Sequence, residues 1–375
     1  MDNDKPIVAN IHDTFFKKSE TFIYNNLTNL VQFKPVCLAF NFINLDNFPF
    51  DSQNLYYFNK KRFYDLTVGI AMNRNNDAVE LLKRLPAKLI HAHFGHIGFH
   101  SLDLKNKCNI PLVTNFYDFD ASKLPRKNRW KRNYKVLFKQ GDLFLVEGKN
   151  MAQSLINLGC PEEKIKIQRI ALRLEKILFR PRKPKDNQKV ILLFSGRFVE
   201  KKGLVYALSA INKVRENFSN FEFRIIGDGP QKQDIVKTIR NYNLGDMVKM
   251  LGFLNYDNYI KEMSKADIFI HPSITASDGD SEGGAPTTIL EAQAMGMPVI
   301  STYHADIPNI TVAGKSALLS KEKDVDSLTN HLAYLLKNQG VWQEMGTCGR
   351  KFIEKYHDVK IEIRKLENKY NQLVV

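Results

Sequence analysis

The sequence predicts an α/β protein of two doubly wound domains, each with a mostly parallel sheet, facing a central cleft. Three observations lead there. The chain has 375 residues, more than a single domain usually holds. Short apolar strand patterns alternate with helical ones almost throughout, the rhythm of βαβ units. Near the middle, Phe179–Lys189 (FRPRKPKDNQK) brings two prolines and five basic residues together and interrupts that rhythm as a linker would. No fixed-period repeat or long low-complexity run competes with this reading.

The elements follow in order. Pro6–Ile11 reads as a strand, Glu20–Leu30 as a helix and Val36–Phe40 as a second strand; Lys88–Ala92, Pro111–Phe116 and Gly141–Glu147 are further apolar strand candidates. Beyond the linker come the strand Val190–Ser195, the helix Leu204–Asn217, the strand Phe221–Ile226, the helix Pro230–Tyr242 and the strands Val248–Leu251 and Ala266–His271. The helix Thr288–Ala294 and the strand Pro298–Ser301 complete the second half, and Ile361–Leu373 has helical periodicity. Unbroken apolar strands must be covered on both faces, which implies parallel sheets. The expected domains are 1–182 and 183–357. Ligands of such folds bind at the carboxyl ends of the strands, so chemistry is expected in strand-to-helix loops.

Apolar residues make up 43% and charged residues 25%, which excludes a disordered or fibrous chain. The 55 Lys+Arg exceed the 40 Asp+Glu by 15. Residues 1–190 carry 32 basic and 18 acidic side chains, net +14, against 23 and 22 in residues 191–375, net +1. Cys37, Cys108, Cys160 and Cys348 are scattered without a CxxC pair, as expected of a reducing compartment. The opening MDNDKPIVAN lacks a basic, then apolar leader, and no apolar run approaches the ~20 residues that span a bilayer, so a cytoplasmic protein, peripheral at the inner face of the cell membrane, is expected.

Three segments carry chemistry. Ser195–Gly203 (SGRFVEKKG) follows a strand; Gly196 permits close backbone approach, and Arg197 and Lys202 can reach anionic oxygens such as a pyrophosphate, although a basic surface turn has the same pattern. Ile225–Pro230 (IIGDGP) is a glycine turn at Gly227 with proline at the expected first helical position, a pattern that a purely structural turn shares. In Ser277–Ala292, Gly283 and Gly284 precede a helix and present bare N–H groups to an anion, while Glu291 lies one turn inside among apolar neighbours. A carboxylate so flanked needs a specific partner, and sugar hydroxyls suit it.

Taken together, SGRFVEKKG, IIGDGP and EGGAPTTILEAQAMGMPVIST resemble the ordered donor-domain motifs of glycosyltransferase family 4, retaining enzymes of the GT-B fold with two Rossmann-like domains. In the first half the SETF segment Ser19–Phe22, the HAHFG segment His91–Gly95 and the LGCP turn Leu158–Pro161 resemble those of polysaccharide-building members. The resemblance implies Arg197 and Lys202 on the donor diphosphate, Glu291 on the ribose hydroxyls, and Gly283 and Gly284 facing the sugar or its phosphate, with Gly196, Gly227 and Thr288 completing the donor side. It implies catalytic roles for Arg197, Lys202 and Glu282, with His93, Tyr117 and Asp120 on the acceptor side. Glu282 and Glu291 have eight residues between them where the family has seven, which points to an insertion near Ala285. Tyr117 stands where many members have a histidine, and tyrosine cannot take up a proton near neutral pH. The fold also implies that residues 358–375 pack back on the first domain.

The function implied is transfer from a UDP- or GDP-linked sugar to a glycan or lipid-linked acceptor in cell-surface polysaccharide biosynthesis, with no cofactor and no metal. Two cations and helix N-terminal amides would neutralise the leaving diphosphate. The mechanism implied is front-face displacement, with domain closure assembling the site. His91, His93, His96 and His100 also have the spacing of a metal site, but no cysteine or acidic ligand accompanies them. Between Asp120 and Asp142 eight Lys/Arg and no acid surround the stripe Trp130, Tyr134, Leu137 and Phe138. Such a helix suits an anionic leaflet at ~1 kcal/mol per cation; the stripe equally suits packing on its own domain. No nucleic-acid motif supports a nucleic-acid partner. The alternatives are an epimerase of the same fold and a non-catalytic nucleic-acid or membrane-binding protein.

Overall fold

The computed structural model describes residues 5–58, 76–186, 188–284 and 286–374. It divides into two compact units, Met1–Leu172 with Val359–Val375, and Arg173–Asp358.

The first unit contains β1 (Ile7–Ile11), β2 (Thr14–Phe15), β3 (Lys34–Ala39), β4 (Asn41–Phe42), β5 (Leu55–Tyr57), β6 (Leu89–His93), β7 (Leu112–Asn115), β8 (Leu143–Val146) and β9 (Ile165–Ile167). Seven of these form one sheet in the order β5-β3-β1-β6-β7-β8-β9, with parallel pairing throughout. The strands β6, β7 and β8 are buried along their whole length, as the central strands of a parallel sheet covered on both faces must be. Successive side chains point to opposite faces. Ala9, Ile90 and Phe144 join a core with the helices Gly95–Cys108 and Asn128–Gln140. On the other face Val8, Leu89, Val113 and Leu145 pack with Val359, Ile363, Leu366 and Tyr370 of the last helix, Val359–Asn371. The end of the chain therefore covers the second face of the first sheet.

The second unit holds β10 (Val190–Ser195), β11 (Phe221–Ile226), β12 (Val248–Gly252), β13 (Ile268–Ile270), β14 (Val299–Thr302) and β15 (Ala317–Ser320). Their order is β12-β11-β10-β13-β14-β15, all parallel. The direction of winding reverses between β10 and β13, as it does between β1 and β6 in the first sheet, and ligands of doubly wound sheets bind at the carboxyl side of such a reversal.

Two expectations change. The boundary falls after Leu172 rather than after Arg182, and much of the proline-rich stretch is docked rather than free. Arg182 is buried, and its guanidinium donates to the carbonyls of Ala266 (2.6 Å), Met263 (3.2 Å) and Met295 (3.3 Å). Those carbonyls close the helices Tyr256–Lys265 and Thr287–Ala294, where a cation complements the negative helix end. With this boundary the first unit has 29 basic and 18 acidic residues, net +11, and the second 26 and 22, net +4.

The apolar stripe faces its own domain. Tyr134, Leu137 and Phe138 are buried, and Trp130 packs edge-on against Phe99 and His100. An interfacial role for the stripe is thereby excluded, whereas all eight Lys/Arg around it are exposed. The helix expected from Pro230 begins at Lys232, leaving the proline in the preceding turn.

Candidate functional site

At the reversal of the second sheet, β10 ends at Ser195 and the chain turns through Gly196 and Arg197. The turn after β11 presses against it: Gly227 has φ +142°, and a Cβ there would lie 2.0 Å from the Gly196 carbonyl oxygen. Only glycine fits this approach. Arg197 is exposed, and among the described residues its guanidinium makes no hydrogen bond or ion pair. Lys202, at the end of the short turn Glu200–Lys202, lies 2.7 Å from Glu282 Oε2. The other Glu282 oxygen accepts from Ser273 Oγ at 2.8 Å and faces His271 Nε2 at 3.4 Å. Burial by itself would raise the Glu282 carboxyl, but Lys202, His271 and Lys201 outweigh it and hold it well below the usual carboxylate range. His271 is stacked between Phe194 and Phe269, and burial pushes its pKa down.

Gly283 and Gly284 follow, both buried, and the Gly283 amide donates to Ser281 Oγ at 3.3 Å. Ala285, where the insertion is expected, lies outside the described residues. The helix Thr287–Ala294 begins next, with Thr288 half-buried in its first turn. Glu291 is buried and accepts from the Tyr259 hydroxyl at 2.6 Å; burial, opposed by that hydrogen bond, raises its carboxyl to about 7. The structure thus joins Lys202 to Glu282 and Gly196 to Gly227, and gives Glu291 a separate partner in Tyr259.

At the reversal of the first sheet the site is built without ion pairs around its central histidine. His93 is buried, with Nδ1 2.8 Å from the Tyr117 hydroxyl and Nε2 3.3 Å from Asn10 Oδ1. Its ring stacks on His91 at 4.5 Å. His91 in turn faces Tyr370 Oη (2.6 Å) and Asn115 Oδ1 (3.0 Å), and burial takes its pKa to about 4. Burial, then the neighbouring His91 and His12, lower His93 further. Asp120, expected on the acceptor side, spends both of its carboxylate oxygens on backbone amides. It is fully buried, with Oδ2 accepting from Gly95 N (2.7 Å) and Oδ1 from Tyr117 N and Asp118 N (both 3.1 Å). It holds the start of the Gly95–Cys108 helix and the Tyr117 turn, and burial raises it to about 7. Among the described residues no group of three or more His, Cys, Asp or Glu is arranged to hold a metal ion.

Against this geometry, the chain is 32% identical over 286 residues to the amylovoran biosynthesis glycosyltransferase AmsK of Erwinia amylovora, covering 76% of this chain and 70% of that protein. The chain belongs to the group 1 glycosyltransferase family. Residues 175–352 match the family described as "Glycosyl transferases group 1". To the putative colanic acid biosynthesis glycosyltransferase WcaL of Escherichia coli K12 it is 36% identical over 250 residues, 66% of this chain and 61% of that protein's length. Among solved structures, Anabaena Alr3699/HepE in complex with UDP and glucose superposes with TM-score 0.77 at 15% identity, over 98% of this chain and all of that one. The two Rossmann-like domains are those of the GT-B class.

The family match lies wholly within the second unit of this family member, which also holds every motif expected on the donor side. Several residues around Glu282 escape sequence reading: His271 and Ser273, His304 and Glu322 follow three different strands, and the local signal is a polar residue past the end of an apolar strand. In the first unit a second cluster also escapes it. His12 Nε2 lies 2.9 Å from Glu20 Oε2, and Lys17 Nζ reaches both Asp13 (3.2 Å) and Glu20 (3.3 Å) beside the carboxyl end of β1.

Proposed function

We propose that this chain is a retaining glycosyltransferase that moves a sugar from a nucleotide-linked donor to a glycan or lipid-linked acceptor in cell-surface polysaccharide assembly. The observation that carries the reading is an exposed Arg197 and a Lys202 paired with Glu282, both in the segment that follows β10 where the sheet reverses. The names of AmsK and WcaL support the polysaccharide context, and the UDP and glucose bound by HepE support a nucleotide-sugar.

In this mechanism Arg197 and Lys202 hold the donor diphosphate, Lys202 exchanging part of its bond to Glu282 for a phosphate oxygen. Glu282 then faces the donor sugar, Glu291 takes the ribose hydroxyls, and the Gly283–Gly284 amides and Thr288 line the same end. The glycosidic C–O bond breaks with its electron pair going to the diphosphate. The acceptor hydroxyl attacks from the same face and passes its proton to the departing phosphate oxygen, so the residues chiefly stabilise separated charge. The cations do this without a metal ion. The first domain takes the acceptor near His93 and Tyr117, and its exposed basic helix meets an anionic membrane surface. Among the described residues no helix is long and apolar enough to cross a membrane.

A thermal-shift panel of UDP-, GDP- and ADP-sugars, followed by product analysis for any that bind, tests the reading. Transfer with retained anomeric configuration is expected, undiminished by EDTA. Binding followed by epimerised nucleotide-sugar, or no binding at all, overturns it.

A further inference from the structure

The loop from Ser273 to Glu282 is gripped from two sides by residues that neither the apolar core nor the donor contacts account for. On one side stand Glu200 and Lys201, which precede the donor-side Lys202. Glu200 accepts from Ser277 N (3.0 Å) and Ser277 Oγ (2.7 Å). Lys201, buried although a lysine, donates to Asp280 Oδ1 (3.1 Å) and the Ser281 carbonyl (3.0 Å). Lys202 reaches Glu282. On the other side Glu322 accepts from Thr275 N (2.8 Å) and meets His304 Nδ1 at 2.6 Å, while His304 Nε2 accepts from the Glu282 amide at 3.1 Å.

The chemistry of the second side fixes a proton. The Glu282 amide can only donate, so His304 Nε2 must carry a lone pair and Nδ1 the hydrogen, which the Glu322 carboxylate receives. Burial would raise Glu322, but the Thr275 amide and His304 overcome it and keep the carboxyl below its usual value. Thr275 and Ser277 are exposed loop residues, so these carboxylates spend their hydrogen bonds on surface backbone instead of on core. Two carboxylates, a buried lysine and a histidine of one tautomer all act on a loop that ends at the Glu282 carboxylate.

We propose that Glu200, Lys201, His304 and Glu322 are positioning residues that clasp the 273–282 loop, so that Glu282 meets Lys202 and the donor sugar in a single geometry. This rests on the reading of Glu282 and Lys202 given above. A Gln at position 322 cannot accept from both Thr275 N and His304 Nδ1. Whichever partner meets the amide NH2 loses its acceptor, and if that partner is His304 its tautomer reverses and confronts the Glu282 N–H with a second donor.

The test compares the full chain with its Glu322→Gln, His304→Ala and His304→Gln variants. Turnover of the nucleotide-sugar selected by the panel is expected to fall about tenfold or more in Glu322→Gln and His304→Ala, while affinity for the free nucleoside diphosphate, UDP or GDP, changes less than about twofold. His304→Gln, which keeps one acceptor and one donor, recovers part of the loss. Amide exchange at Thr275 and Glu282 rises about tenfold in the first two variants, and this readout stands even if the full chain transfers no sugar, an outcome that would sink the proposed function alone. Wild-type exchange in both variants, or a loss of diphosphate affinity equal to the loss of turnover, overturns the clasp.

Discussion

The two sheets share a topology and differ in the electrostatics of the group buried at the reversal. At the reversal of the first, His93 and His91 are desolvated, stacked and hydrogen-bonded to Tyr117, Tyr370 and amide side chains, so burial keeps them neutral. At the reversal of the second, an ionised Glu282 is held by Lys202 while Arg197 stands in solvent. The same fold thus buries neutral imidazoles at one reversal, beside the Lys17–Glu20 ion pair, and an ionised carboxylate held by a lysine at the other. Cations follow the first strand of both sheets, Lys17 and Lys18 in one and Arg197, Lys201 and Lys202 in the other; what differs is the group buried at the reversal, not the sheet.

Breaking the charged end should have the largest effect. Lys202→Met is expected to abolish transfer and to cost about 3–5 kcal/mol in stability, because it strands a buried carboxylate. Adding Glu282→Gln should restore stability but not transfer, as read by denaturant titration beside turnover. Arg197→Ala sharpens the contrast: transfer should fall about 10²–10³-fold with stability unchanged within about 0.5 kcal/mol. Normal turnover in Arg197→Ala would remove the diphosphate role.

A smaller effect separates the domains by pH. Asp120 in the first and Glu291 in the second are raised to about 7 from ordinary values of 3.8 and 4.5. Between those values the folded chain keeps protons that the unfolded chain releases. Their contribution is therefore full below about pH 4 and is lost as pH rises to about 7. Glu282 has the opposite sign: its contribution is present above 4.5 and is lost as pH falls through its lowered value. Asp120→Asn and Glu291→Gln should each flatten the decline in unfolding midpoint between pH 5 and 8, and an unaltered slope in both would contradict their assigned burial.

The smallest effect concerns the surface. Replacing Lys127, Arg129, Lys131 and Arg132 with Gln should weaken co-sedimentation with anionic vesicles by about 1 kcal/mol per charge and leave transfer to a soluble acceptor unchanged. Equal co-sedimentation would remove the membrane role from this helix.

Much of the fold was legible because it is local. The runs VILLFS and FEFRII are strands at the residues their patterns indicate, and the glycine turns fall where strand gives way to helix. Tyr117 and Asp120 were legible as a segment, but not that Asp120 would spend both oxygens on backbone amides. The linker was misread for a similar reason, since nothing in FRPRKPKDNQK tells that Arg182 closes two helix ends far along the chain.

By itself, then, the sequence determined the two parallel sheets, the family and the inventory of cations, carboxylates and glycines at the second sheet's reversal. Only the tertiary structure decided which of them pair: Lys202 finds Glu282 across 80 residues, and His304 finds the Glu282 amide across 22. Periodicity and turn chemistry are set by neighbours along the chain, whereas a buried charge is settled by whatever the fold brings within hydrogen-bond distance, and that partner leaves no mark in the local sequence.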